Sequence, residues 1–408
     1  MSVIKNIKNN LYEVFFIFLV VLLFIKSSIS FVTYDEAQTF LNYVYVNNVF
    51  NFGIANNHPL NTVLILFSTN IFNNYSPIIL RVPVLVFGVF YFFTAYKLTK
   101  KIDTNKLLKT LILVFNPYLF EYLTLARGYG FAASLIFLAI SNELLIENKY
   151  KFGINTFILL SASYFIYPSA IVTFLYVLIF FRKYFLKNKY LNLFFAIIGI
   201  VGTLPPVYLM QQATIYDKYL YGLYSQDFSI FNFINLFGFI PLLNPDNILL
   251  SYLTFLILII GFKRNLFKKY LKINSLILFS FTLLFLIPLI LGKPLPIFRV
   301  LVPYLPLFLL FLYLNTKFER KIANILIIIL IFNFLSTFEF YDTFDWEYDL
   351  DFRELVLTNY QDNNKKCFYY YFDNMAEEYY RLLYGDNTCY VDFDNINKIT
   401  PDTSIIKK

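Results

Sequence analysis

The sequence is poor in charge, in glycine and in the residues that usually bind metals. Only 15% of its 408 residues are charged, and it contains 12 glycines, 2 cysteines and a single histidine, His58. One histidine excludes a metal site built from several histidines, and so few glycines argue against a glycine-rich loop that cradles a nucleotide phosphate. Sparse charge also excludes an ordinary soluble enzyme and a nucleic-acid-binding protein, so we expect no nucleic-acid partner.

Apolar and aromatic residues are abundant instead, at 59% and 21% of the chain. Apolar blocks recur from 11–30 to 322–335, and most are close to the ~20 residues that span a bilayer. The sequence therefore predicts a mainly α polytopic transmembrane bundle, with about 11 helices when crossings are counted between basic clusters. The bilayer is its first expected partner.

Charge divides the chain into two regions. Of the 26 acidic and 34 basic residues, 15 and 7 lie from Glu339 onward, so this tail carries −8 while residues 1–338 carry +16. Short loops rich in positive charge stay in the cytoplasm. We therefore expect a cytoplasmic N-terminus, a first outer loop at 31–77, and a tail on the periplasmic or extracellular side of the cell (inner) membrane. The basic clusters lie at 5–8, 97–109, 149–151, 182–189, 263–272 and 317–321.

The two regions predict two domains, a transmembrane domain at 1–338 and a small acidic α/β tail domain at 339–408. In the tail, strand patterns at 366–372 and 388–393 flank a helical pattern at 375–384, which predicts a parallel strand pair with a right-handed crossover. Cys367 and Cys389 lie near the starts of these strands. A disulfide and two buried thiols both remain open.

Two apolar segments need a separate interpretation. Segment 152–181 begins and ends at basic clusters, so it crosses the membrane an even number of times, yet each half is short for a full span. We predict a broken helical hairpin hinged at Tyr167-Pro168. Residues 1–30 resemble a signal peptide, but they lack an Ala-x-Ala type site, which favours an uncleaved first helix.

The acidic pair Asp35-Glu36 follows the first apolar block and is the first candidate site. Charge at the membrane surface is costly and usually has a task. Two adjacent acids can divide labour, one facing a cavity while the other faces the protein. The alternative is that both are solvated acids that cap an interfacial helix.

Cations at the outer surface form the second candidate set. Arg127 lies beside Glu121 in a short outer turn, where phosphate binding and a salt bridge that fixes the turn are equally compatible with the sequence. Arg81 could bind phosphate or extend its side chain to the interface. Lys293 and Arg299 flank a proline-containing turn. Outward-facing cations of this number suit an anionic head group, and we expect Arg127 to bind phosphate more strongly than Arg81.

Taken in order, these motifs resemble the GT-C glycosyltransferases over residues 10–335. The nearest branch is glycosyltransferase family 39, with the protein O-mannosyltransferases and the bacterial transferases that decorate lipid A. Tyr129 and Asn61-Thr62 depart from the pattern usual in these relatives. The motifs are Asp35-Glu36, His58-Pro59-Leu60, Arg81-Val82-Pro83, Ala126-Arg127-Gly128-Tyr129, and Arg299 with Pro303-Tyr304-Leu305-Pro306.

The resemblance implies an inverting transferase that moves a sugar from a polyprenyl-phosphate-linked donor to a hydroxyl of a glycolipid, polysaccharide or protein. Asp35 is then the general base, with Glu36 beside it in the catalytic pair. The resemblance implies no organic cofactor, and whether a divalent cation takes part stays open because only some GT-C branches use one. The residues expected to bind substrate are His58, Arg81, Glu121, Arg127, Tyr129, Lys293 and Arg299.

Three other functions compete with this interpretation. A solute transporter would explain the helices, but transporters tend to carry internal repeats and polar groups near the bilayer midplane, and this sequence has neither. An O-antigen polymerase or ligase is expected to carry its active residues in a large late outer loop, whereas here the first outer loop is the richest. A non-catalytic assembly scaffold also remains open.

Overall fold

The structure is a computed structural model, and it describes residues 2–47, 58–101, 105–216, 260–290, 298–338 and 340. In the tail it describes 367–369, 379, 382–383 and 389–391. Within these ranges the chain is mainly helical, which confirms the predicted fold class at this level.

Most consecutive helices within the described ranges are separated by only a few residues. A π-helix at Phe40–Tyr45 continues α2, and 3₁₀ turns at Tyr167–Ser169 and Val302–Tyr304 precede α9 and α14. The helices are α1 Ser2–Ile29, α2 Tyr34–Thr39, α3 Pro59–Phe72, α4 Pro77–Lys100, α5 Lys106–Val114, α6 Pro117–Tyr122, α7 Gly128–Leu145, α8 Lys151–Phe165, α9 Ala170–Phe185, α10 Lys189–Tyr216, α11 Arg264–Lys269, α12 Leu271–Ile290, α13 Phe298–Leu301, α14 Leu305–Asn315 and α15 Arg320–Thr337.

Several of these helices are long and apolar enough to cross a membrane. Within the described ranges there are four, at Pro77–Lys100, Gly128–Leu145, Tyr167–Phe185 and Lys189–Leu209. A fifth is counted if α1 and α2, which meet at an angle of 74°, form one bent span. This supports a membrane protein, while the total of about 11 crossings stays a prediction.

Aromatic rings fill the contacts between α4, α7 and α8. Phe131 of α7 stacks on Phe165 of α8 with ring centroids 4.5 Å apart, and Phe87 of α4 lies 4.9 Å from Phe131. Such pairs bury large apolar areas and add orientation-dependent stabilisation. Because Phe165 is the last residue of α8, this core holds the end of that helix in place.

The hairpin of α8 and α9 breaks where the sequence predicts. α8 ends at Phe165, Ile166 is extended, and a 3₁₀ turn at Tyr167–Ser169 leads into α9. Pro168 explains the break, since a proline has no N–H to continue the helix and its ring clashes with the carbonyl four residues earlier. The Tyr304 hydroxyl donates to the Pro168 carbonyl at 2.7 Å, which ties the hinge to the start of α14. The predicted hinge at Tyr167-Pro168 is confirmed.

The described part of the tail contains two short strands, β1 Cys367–Tyr369 and β2 Cys389–Val391. They pair in parallel, with Cys367 directly opposite Cys389, so the predicted parallel pair is confirmed. The crossover and the remaining α/β elements of the tail lie outside the described residues. The disulfide stays a prediction.

One tail residue packs against the membrane domain. Tyr379 is buried, its ring lies 5.5 Å from that of Phe40 in the π-helix, and its hydroxyl donates to the Tyr75 carbonyl at 2.5 Å. The π-helix directly continues α2, which carries Asp35. The tail at Tyr379 and the acidic pair therefore lie at the same end of the bundle.

The orientation of the bundle can be tested at its two ends. Asn74, before α4, and Asn188, before α10, are both exposed and lie at opposite ends of the helices. With Cys367 and Cys389 replaced by serine, we expect a membrane-impermeant maleimide to label Asn74→Cys but not Asn188→Cys in intact cells, because the basic segment at 182–189 is predicted to stay inside. Both positions should react after permeabilisation. Labelling of position 188 in intact cells would reverse the orientation.

Candidate functional site

The acidic pair is presented by a sharp turn between α1 and α2. Thr33 caps α2 through a capping box: its hydroxyl accepts from the Glu36 backbone N–H at 3.3 Å, and the Glu36 carboxylate accepts from the Thr33 N–H at 3.0 Å. Both Asp35 and Glu36 are buried, so they are not a pair of solvated capping acids. Consecutive helical residues point about 100° apart, and the two carboxylates meet different partners.

Glu36 forms a fully buried, two-pronged ion pair with Arg81 of α4. Arg81 Nε donates to Oε1 at 2.9 Å and Nη2 donates to Oε2 at 2.7 Å. The Ala126 backbone N–H also donates to Oε1, at 2.6 Å. With the Thr33 contacts, both carboxylate oxygens are saturated. Glu36 thus joins α2 to α4 and to the segment before α7.

The rest of the Arg81 guanidinium binds the end of α1. Nη1 donates to the carbonyls of Ser27 and Ser30 at 2.9 and 2.8 Å, and Nη2 donates to the Phe31 carbonyl. These carbonyls lie at a helix end that lacks intrahelical donors. All three guanidinium nitrogens of Arg81 donate to protein acceptors, so the structure gives this residue a scaffolding role.

Asp35 turns the other way and lies between two arginines. Its Oδ2 atom is 3.1 Å from Arg127 Nη2 and 2.8 Å from Arg299 Nη1. The side chain of Arg127 is 0% exposed, whereas that of Arg299 is 17% exposed. One carboxylate oxygen therefore bridges a buried cation and a reachable one.

Arg127 is oriented by contacts with the backbone and side chain of α2. Its Nη1 donates to the Asp35 carbonyl at 3.0 Å and to the Thr39 hydroxyl at 3.2 Å. The sequence places Arg127 beside Glu121, but the ion pair that the structure shows for it is with Asp35. Glu121 is buried in α6, and Lys293 lies outside the described residues.

His58 completes the described cluster. Its side chain is buried, and neither ring nitrogen has a hydrogen-bond partner among the residues that the structure describes. The ring lies 5.3 Å from that of Tyr129, and the Arg127 guanidinium lies 5.8 Å from the same tyrosine ring. His58 precedes α3, outside the candidate spans. Burial, and then the charges of Arg127 and Arg299, lower its pKa well below 6.5, so the imidazole is neutral.

Gly128 allows the start of α7 to pack closely against the end of α8 and against His58. A Cβ atom on Gly128, the first residue of α7, would lie 2.4 Å from the Phe165 carbonyl oxygen and 3.2 Å from His58 Cγ. The backbone carbonyl cannot yield, so a larger residue would push α7 away from the hinge after α8. The close approach explains why glycine follows Arg127.

Two polar residues of the site were not predicted from the sequence. The Thr39 hydroxyl accepts from Arg127 and donates to the Asp35 carbonyl at 2.9 Å. Asn61 of α3 donates to the Ala126 carbonyl at 3.1 Å. Both side chains are buried although they are polar, but Thr39 lies in a mostly polar segment, so the sequence does not single it out.

The carboxylates do not form a metal centre in this arrangement. Within the described ranges, no three histidine, cysteine or acidic side chains converge as metal ligands would. Asp35 and Glu36 are each engaged by guanidinium groups, which compete with a cation for the same oxygens. This donor set does not fit a divalent ion.

Removing the charge of Glu36 should destabilise the protein strongly. Glu36→Gln leaves the buried Arg81 guanidinium without a counter-ion, a change that costs about 3–5 kcal/mol. Thermal unfolding in detergent measures it. The matched control is Glu13→Gln, because Glu13 is 52% exposed and lies 3.8 Å from Lys100; there we expect a loss below about 1 kcal/mol. Equal effects of the two substitutions would contradict the scaffolding role.

His58 should make stability depend on pH. The folded state disfavours protonated His58, whereas the unfolded chain binds the proton near pH 6.5. Its contribution is therefore full above pH 6.5 and is lost as the pH falls, by up to roughly 1.4 kcal/mol per pH unit. Unfolding midpoints from pH 8 to 5 should fall more steeply for the wild type than for His58→Asn. Parallel curves would mean that the imidazole is not held neutral.

Comparison of the chain with protein-family models, with curated proteins and with solved structures gives no match. The geometry of the cluster of Asp35, His58, Arg127 and Arg299 is the basis for the functional proposal that follows.

Proposed function

We propose that the protein is a membrane glycosyltransferase. It transfers a sugar from a polyprenyl-phosphate-linked donor to a hydroxyl of a glycolipid, polysaccharide or protein. This proposal rests on one arrangement of groups: an acid that bridges two arginines lies beside a buried imidazole and next to an apolar cavity, and the imidazole has no hydrogen-bond partner among the described residues.

The charged part of this site suits a phosphate. The ion-paired residues comprise three guanidinium groups and two carboxylates, so this set carries one excess positive charge. Guanidinium groups match phosphate oxygens in shape and in hydrogen-bond donors. Arg299 is the partly exposed member and would meet an incoming anion first, while buried Arg127 fixes its position. Lys293 stays a proposed contributor.

The apolar part suits a lipid chain. A cavity of about 580 Å³ opens between α3, α8 and α10, and its lining is almost entirely apolar. Its volume falls within the ~300–1,000 Å³ typical of ligand sites. Because Pro59 follows His58 directly, the cavity begins next to the cationic cluster. Residues that line it are Pro59, Leu60, Leu160, Tyr164, Pro205 and Leu209.

Asp35 is the proposed general base. As an acceptor hydroxyl attacks the anomeric carbon, Asp35 takes its proton, a new C–O bond forms, and the bond between the anomeric carbon and the phosphate oxygen breaks with inversion. The bonding electrons stay on the departing phosphate. Fixed cations in a poorly hydrated site stabilise charge that develops there, which is the role of Arg127 and Arg299. Glu36 holds the turn that presents Asp35.

The proposal puts this chemistry at the outer face of the cell membrane. The basic clusters mark the opposite ends of the helices as cytoplasmic. Tyr379 packs against Phe40 at the end that carries Asp35, so we propose that the tail, as a small α/β domain, shares the outer side with the site. An acceptor outside the cytoplasm would meet the donor there.

Asp35→Asn should abolish most of the transfer. The amide keeps size and hydrogen bonding but cannot take a proton, so turnover should fall about 10²- to 10⁴-fold. The assay uses protein in lipid nanodiscs with farnesyl-phosphate-linked glucose, mannose or arabinose, and follows donor hydrolysis as well as transfer to membrane glycolipid.

Glu143→Gln is the matched control for this substitution. Glu143 is a buried acid near the other end of α7, where it pairs with Lys183 at 3.2 Å, and its replacement should leave turnover within about twofold. Wild-type turnover retained in Asp35→Asn would contradict the assignment of the base. Binding of donors without any hydrolysis or transfer by the wild type would favour a transporter.

A further inference from the structure

The position of the Asp35 carboxylate conflicts with its proposed role as a base. Oδ2 accepts charge-assisted contacts from Arg127 at 3.1 Å and from Arg299 at 2.8 Å. An oxygen whose lone pairs are engaged in this way is not ready to receive a proton from an acceptor hydroxyl. For Oδ2 to take that proton, it has to leave these arginines first.

Two converging guanidinium groups are also the arrangement that binds a phosphate oxygen. A carboxylate and a phosphate present similar oxygen acceptors to an arginine fork. Arg127 is fully buried, and an unpaired buried cation is strongly unfavourable. In this structure the Asp35 carboxylate supplies the counter-charge for both guanidinium groups.

His58 gives independent support for an anionic ligand at this position. Neither of its buried ring nitrogens meets a partner within the described part of the chain, although the positive charges of Arg127 and Arg299 act on the ring. A buried imidazole without a hydrogen bond is costly. An anion on the two arginines would give that imidazole an acceptor, which the present position of Asp35 does not.

We propose that Asp35 is an internal substitute for the donor phosphate: the arriving phosphodiester displaces its carboxylate from Arg127 and Arg299, and this displacement frees the base. The inference rests on the proposed function and deepens it. The base then becomes available only when a leaving group is in place, which protects the donor from attack before its phosphate is neutralised.

The local structure holds the backbone of Asp35 in place during this exchange. The Asp35 carbonyl accepts separately from Arg127 Nη1 at 3.0 Å, so the backbone stays attached when the carboxylate leaves. Glu36 holds the start of α2 through Arg81 and the Ala126 N–H. A rigid helix start with one exchangeable side chain is what the displacement requires.

The test compares binding of an anion to the wild type and to Asp35→Asn. The amide cannot compete as an anion, so the variant should bind farnesyl-phosphoglucose, a phosphodiester, more tightly, on the order of tenfold, the size of a typical coupling between two linked interactions. Calorimetry in nanodiscs measures the dissociation constants. Glu143→Gln should match the wild type. Equal or weaker binding by Asp35→Asn would overturn the inference.

A second arm separates this inference from the proposed function. If neither protein binds the prenyl phosphodiester, the lipid-linked donor is wrong, and inorganic sulfate then tests the cation pair alone. Sulfate should raise the unfolding temperature of Asp35→Asn more than that of the wild type. Equal shifts would overturn the internal substitute as well.

Whether Asp35→Asn folds with and without sulfate is a further test of the inference. If Asp35→Asn is recovered folded only in the presence of sulfate, an external anion has replaced the carboxylate, as the inference requires. Asp35→Ser, which removes the same charge, should behave alike. Failure of both variants to fold at any sulfate concentration would show that no free anion can take the place of Asp35.

Discussion

The guanidinium group of Arg81 lies where three parts of the chain meet. It enters from α4, binds the carbonyls of Ser27 and Ser30 at the end of α1, and pairs with Glu36 at the start of α2. Glu36 in turn accepts from the Ala126 N–H just before α7. Since both charged groups are fully buried, losing either would leave an unpaired charge away from water. The turn that presents Asp35 depends on this one ion pair.

The adjacent acids Glu36 and Asp35 have different roles because the arginines that they contact differ in solvent exposure. Glu36 contacts the guanidinium of Arg81, which has no exposed surface, and the described contacts of its carboxylate oxygens are all with protein atoms. Asp35 meets one buried cation, Arg127, and one with 17% of its side chain exposed, Arg299. A cation that is both oriented and reachable is what an anionic ligand needs. The Glu36–Arg81 ion pair thus positions Asp35, whose contacts with Arg127 and Arg299 are the ones proposed to be exchanged.

Local signals allowed part of this structure to be predicted. Pro168, between two apolar halves that are each short for a full span, predicts a break, and the hinge is found there. Proline alone is not enough, since Pro83 lies inside α4. Aromatic strand patterns near Cys367 and Cys389 predict strands, and a parallel pair is found. Apolar blocks likewise predict the helical character. These features depend on neighbours within a few residues.

The pairings that build the site could not be predicted in the same way. Arg81 and Glu36 are 45 positions apart, and Arg299 and Asp35 are 264 apart. Periodicity shows which residues share a helix face but not which faces meet. The sequence leaves a salt bridge to Glu121 and phosphate binding equally open for Arg127, whereas packing brings Asp35 to it from α2.

We propose that a phosphate binds between Arg127 and Arg299 in place of the Asp35 carboxylate. Electron cryo-microscopy of the protein in nanodiscs with bound farnesyl-phosphoglucose would locate this phosphate. We expect phosphate density within hydrogen-bond distance of both arginines, with the prenyl chain in the cavity behind Pro59 and the Asp35 carboxylate turned away. Phosphate density elsewhere, with Asp35 still bridging the two arginines, would contradict it.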